Sequence, residues 1–182
     1  MVTNDKLLAE RQRLLIESNI HFLCQGLSLL ENLPEGSYSA IGGQVRHILE
    51  YYECFLNGVE SNHLDYDARR RDESLERQRG AAIERFAATM TRLDANPLLR
   101  GDMVVWVRME DAPPRQDYDA YMVSSIGREL QALNTHTIHH YAIIALILRS
   151  LGIETDRSFG MAPSTLRHMN AQRPLAMVAE AA

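Results

Sequence analysis

The stretch "LNTHTIHHYAIIALIL", Leu133 to Leu148, places three histidines within five residues and then runs almost unbroken through apolar side chains. Its periodicity is helical: at about 100° per residue, Ile126, Leu130, Leu133, Thr137, Ile144, Leu148 and Leu151 share one face. Serine caps at Ser124 or Ser125 and a terminating Gly152 bound this helix. A long helix with one apolar stripe must bury that stripe against other elements, so the rest of the chain is read for its partners.

Three partners follow from the same spacing rule. Leu7, Leu8, Leu14, Leu15, Phe22, Leu23, Leu29 and Leu30 predict a first helix over about Asn4 to Asn32, ended by "NLPEGS". "SAIGGQVRHILEYYECFLNGV" predicts a second, with Ile41, Val45, Ile48, Tyr52, Phe55 and Val59 on one face and Gly58 near its end. "ESLERQRGAAIERFAATMTRLDA" carries Leu75, Ile83, Phe86, Met90 and Leu93 and reads as one third helix, closed at Asn96 and Pro97. Between helices three and four, "DMVVWVRME" is rich in β-branched residues and reads as a short strand or extended arm, bounded by Gly101 and "DAPP". "HLDYDARRRD" reads as an irregular connection. The predicted architecture is all-α, a four-helix bundle forming a single domain over residues 1–170, followed by a loosely held tail over 171–182.

Composition narrows the function. At 182 residues the chain suffices for one unstapled core, and a net charge of -5 disfavours a nucleic-acid surface, since the arginines of Ala68 to Arg79 are interleaved with carboxylates. Only Cys24 and Cys54 are present, both within apolar helical patterns, which excludes a disulfide framework. With no cleavable apolar core at the N-terminus and no segment of membrane-spanning length, the reading is a cytoplasmic protein without a membrane partner.

On helix four, His136 and His140 are one turn apart and point into one space on the inward side, whereas His139 turns away. Such a pair can share a metal ion if another helix supplies a third ligand. His47 on helix two and His21 on helix one are both candidates. Glu129 lies in direction between His136 and His140, where its carboxylate can act as a catalytic base or orient a ligand; its alternative is an ion pair with Arg128. Gln44 and Tyr51 stand one turn either side of His47 and are candidate substrate-binding residues, Tyr51 having packing as its plainer role. Trp106 is expected to wall the pocket or pin the extended arm.

The segments "VRHILEYYECFLNG" and "HTIHHYAIIALIL" together resemble the DinB/YfiT-like superfamily of four-helix bundles. In that family a histidine of the second helix joins an H-x-x-x-H pair on the last long helix to bind one divalent metal. The resemblance implies His47, His136 and His140 as ligands, with zinc first and nickel or iron as other occupants. It also implies a homodimer, a small-molecule substrate, a low-molecular-weight thiol as possible cosubstrate, and a metal-dependent transferase or hydrolase. Ala142, where sulfoxide synthases of the superfamily carry an acid, argues against that branch. Set against the enzyme are two other readings: a bundle that holds a metal or ligand without catalysis, and a structural dimer whose histidines only pack. Paired Glu-x-x-His motifs and H-E-x-x-H are both absent, which excludes a di-iron carboxylate bundle and a zincin.

Overall fold

The computed structural model describes residues 4–108 and 121–171. Among these residues six α-helices are formed: α1 Asn4–Asn32, α2 Gly42–Gly58, α3 Glu73–Arg77, α4 Arg79–Ala95, α5 Ile126–Ser150 and α6 Pro163–Ala171. Three short strands accompany them, β1 His63–Asp65, β2 Val104–Arg108 and β3 Tyr121–Ser125. The molecule is thus mostly helical, and the all-α expectation needs correcting for a small sheet.

The four long helices carry the core. α1 packs on α4 and α5, and α2 packs on the same two. All six apolar residues of the α2 stripe are buried, as are Phe22, Leu23 and Leu30 of α1, Phe86 and Leu93 of α4, and Leu130, Leu133, Ile144 and Leu148 of α5. Each such side chain contributes about 1.5–3 kcal/mol by leaving water. At the N-terminal end of α1 the stripe outruns its partners, leaving Leu7 and Leu14 exposed. A polar network crosses the core: Asn19 donates to Leu15 and Leu130 carbonyls at 2.8 and 3.0 Å and accepts from the Tyr52 hydroxyl at 2.7 Å. The Thr137 hydroxyl donates to the Leu133 carbonyl at 2.8 Å and lies 3.3 Å from the Tyr52 hydroxyl. Three helices, α1, α2 and α5, are thereby fixed in mutual register.

Two departures from the sequence pattern shape the site. The predicted third helix is broken at Gln78, whose backbone is extended. Tertiary contacts override the continuous stripe there: the Tyr38 hydroxyl donates to the Leu75 carbonyl, and the Arg79 guanidinium to that of Leu33 at 2.6 Å. Bare Gly42 lets the Glu76 carbonyl come so close that a β-carbon would collide with it. The second departure is the sheet, in the order β1-β2-β3, with β1 parallel and β3 antiparallel to β2. The expected extended arm contains β2, while β1 lies in the "HLDYDARRRD" connection expected to be irregular. Trp106 pairs with His63 and Val123 in the sheet and is 43% exposed.

Ser125 caps α5, its hydroxyl accepting from the Arg128 amide at 3.3 Å. The "DAPP" boundary and residues 172–182 of the expected tail lie outside the described residues. Among the described residues no helix is long and apolar enough to cross a membrane.

Candidate metal centre

Where α2 crosses α5, three imidazoles converge. His47 Nε2 is 3.0 Å from His136 Nε2, which is 3.1 Å from His140 Nε2. His47, His136 and His140 each offer a ligand nitrogen, all within 4.8 Å of one another, and all three rings are half-buried. Metal–nitrogen bonds of about 2.0–2.1 Å in a tetrahedral site put ligand atoms about 3.3 Å apart, close to the spacing found. Of the two candidates for a third ligand, His47 meets the α5 pair and His21 does not. His21 lies exposed on the outside of α1, its Nε2 3.1 Å from Gln25 Nε2. Of the glycines preceding His47, Gly42 serves the approach of α3, whereas Gly43 has open space around it.

The protons of this cluster cannot all be placed well. The Arg69 guanidinium contacts His47 Nδ1, and a guanidinium only donates, so His47 carries its proton on Nε2. The Gln44 carbonyl lies 2.6 Å from His140 Nδ1 and accepts its proton, which leaves His140 Nε2 as a bare lone pair. His136 stands between a donor and a lone pair. With its proton on Nε2 it serves His140 and opposes His47; with its proton on Nδ1 it accepts from His47 and opposes the His140 lone pair. The second choice also strands a proton, because His136 Nδ1 is buried without a partner. No arrangement of neutral tautomers satisfies both Nε2 contacts. An unmet buried polar contact costs about 1–3 kcal/mol, and an ion accepting three lone pairs at this point removes the conflict between the rings.

Electrostatics favour the same state. Burial pushes His47 and His140 down to about 4 and His136 down to about 3, with neighbouring imidazoles and the Arg69 guanidinium adding to the effect. The rings are therefore neutral at pH 7, as metal ligation requires.

Around the histidines stands a wall of aromatic and polar groups. Tyr51 stacks on His136 with centroids 3.9 Å apart and on Tyr66 at 5.0 Å. The Tyr66 hydroxyl donates to Glu129 at 2.9 Å, and Ser124 donates to the same carboxylate at 2.6 Å. Burial and the Glu129 charge push the Tyr66 phenol far up, so it remains a donor. Glu129 is buried and stands outside the three-histidine cluster, and its hydrogen-bond partners are the hydroxyls of Tyr66 and Ser124 rather than Arg128. Gln44 touches a histidine, and Tyr51 lines the cluster.

His139 is exposed and meets His140 edge-on, and His63 and His168 are exposed elsewhere. The Cys54 thiol is pushed up to about 11 by burial, which makes it a poor nucleophile. Sequence reasoning missed Tyr66 and Arg69. Both lie in "DYDARRR", where an arginine three positions after a tyrosine was the signal, hidden by two exposed arginines, Arg70 and Arg71.

No family model matches the chain, and no solved structure matches it. One curated relative, FK506-binding protein 5 of Rhizopus delemar, is 31% identical over 161 residues, covering 88% of this chain and 39% of that protein. The chain thus spans about two fifths of the length of the curated relative it matches. That relative overturns the DinB/YfiT resemblance, and with it the reading as a DinB-like thiol-dependent transferase or hydrolase. Histidines spaced to meet across two helices describe a geometry that unrelated helical proteins can share, and geometry alone does not establish descent.

Proposed function

We propose that this chain is a helical module of an FK506-binding-protein type of polypeptide, and that His47, His136 and His140 hold one divalent metal ion in it. The observation carrying the metal reading is the proton conflict among three converging Nε2 atoms, with Gln44 already holding one ring in the ligating tautomer. The FK506-binding-protein half rests on the 31% identity that runs along 88% of the chain. We read the four long helices as one bundle whose α2–α5 seam is the ion's seat. Imidazole nitrogen suits zinc, nickel, iron and copper alike, and we take zinc as the first occupant, with nickel and iron as others. Three protein ligands leave positions on the ion that no further His, Cys, Asp or Glu of the described cluster fills.

Metal analysis of untagged protein tests this directly. One ion per chain is expected, lost in both His136→Ala and His47→Ala with the helical circular dichroism retained. Absence of stoichiometric metal after purification, together with failure to take up zinc from solution, would refute the metal reading. A second reading concerns the relative's named ligand. A groove of about 500 Å³ between α1 and the segment after α5, lined by Cys24, Leu29, Ile153 and Phe159, gives an apolar ligand a place away from the histidines. Calorimetric titration with FK506 distinguishes it: binding weakened by Leu29→Asp supports the groove, and no heat rejects it.

A further inference from the structure

Arg69 bears on the cluster in a way that metal binding alone does not explain. Its Nη1 contacts His47 Nδ1, its guanidinium carbon stands 5.1 Å from the centroid of Tyr51, and its Nε is buried with no hydrogen-bond partner. Because the guanidinium donates to Nδ1, the proton of His47 is held on Nε2, the nitrogen that an ion needs bare. Loading the site therefore releases the Nε2 proton to solvent and returns one from solvent to Nδ1, the ring staying neutral. The new Nδ1–H faces the N–H of Arg69 head to head, and the guanidinium must turn away.

Arg69 forms no ion pair among the described residues, and the three-histidine cluster includes no carboxylate. A divalent ion on neutral imidazoles, beside a freed guanidinium in a half-buried place, is a concentration of positive charge that requires a counter-anion. The planar fork of an arginine matches a carboxylate or phosphate group in shape as well as charge.

Resting on the metal reading above, we propose that the site takes its divalent ion together with a small oxoanion, one oxygen on the metal and another on Arg69. Arg69 is then both the group that holds the empty site closed to metal and the group that anchors the anion when metal enters.

Cobalt(II) is the probe, because its visible spectrum reports a change of ligand. Metal-stripped full chain is titrated with cobalt in a sulfonate buffer, alone and with acetate, methylphosphonate or, as an ionic-strength control, perchlorate. For the unaltered chain, acetate or methylphosphonate should tighten cobalt binding about tenfold, within the usual range of coupling between two sites, and shift its visible bands. Perchlorate should do neither. Arg69→Gln should bind cobalt more tightly than the unaltered chain when no oxoanion is present, and its response to oxoanion should fall below about twofold. Response to only one oxoanion assigns the class. Cobalt binding that ignores both, or an oxoanion effect undiminished in Arg69→Gln, overturns the proposal and leaves the metal reading standing. Cobalt binding no better than that of His136→Ala under every condition brings down the metal reading and the proposal together.

Discussion

Replacing Gln44 by leucine is the sharpest probe of the way in which this site is prepared. Gln44 Oε1 lies 2.6 Å from His140 Nδ1 and fixes that ring with its Nε2 lone pair facing the other histidines. Leucine keeps the bulk and removes the acceptor, so His140 must find water for Nδ1 and is free to adopt the tautomer that turns a proton toward the ion. Partners of this kind are worth about 10–100-fold in metal affinity. His140 is half-buried, and water can partly replace the lost carbonyl, which places the expected loss near the lower end, about tenfold or 1.4 kcal/mol. Gln44→Glu keeps an acceptor at the same reach and adds negative charge beside the ion, so its affinity should equal or exceed that of the unaltered chain. Zinc competition against a chromophoric chelator at neutral pH measures both. Leucine binding within about twofold of glutamine, or glutamate losing as much as leucine, would refute the tautomer argument.

Acid should destabilise the metal-free protein through the same rings. His47, His136 and His140 titrate at about 3 to 4 when folded against 6.5 ordinarily, so the unfolded chain takes up protons first as pH falls. Their contribution is complete above pH 6.5 and is lost progressively toward pH 4; urea midpoints should show this, with a shallower decline in His136→Gln, and an identical decline in that variant would contradict it. Asn19→Leu removes the acceptor of Tyr52 and the donor to the Leu130 carbonyl in a sealed part of the core, at a cost of about 2–4 kcal/mol. Calorimetry should then find melting lowered by roughly 5–15 °C, and a loss below about 1 kcal/mol would show that the network is dispensable.

Much of the helical framework is legible from side-chain periodicity because each long helix buries a stripe of its own. The bounds of α1 agree with the leucine pattern, and the α2 face from Ile41 to Val59 is buried as read. The sheet around β2 was not legible, since the alternation of His63–Asp65 is too short to mark a strand, which forms there only by pairing with a distant segment. Nor was the break at Gln78, which depends on what Tyr38, Gly42 and Leu33 do to the chain around it. For the site, spacing brought His136 and His140 together but left His47 and His21 unresolved, because a helical wheel gives a direction and not a neighbour. Arg69 resembles any solvated arginine in a charge run, and only the fold around it sets it against an imidazole. The family resemblance failed for a related reason: it rested on ligand spacing, which reports what can meet in space.

The parallel pairing of β1 with β2 also orders events in time. His63 pairs with Trp106, with α3 and α4 between them in the chain, whereas His47 and His136 lie 89 positions apart, so the ladder closes a shorter loop than the α2–α5 seam. Tyr66 and Arg69 follow directly on β1 and are carried into place with it. Loop closure therefore favours assembly of the wall that carries Tyr66 and Arg69 ahead of the meeting of His47 with the α5 histidines, so the three rings come together against a surface already in place.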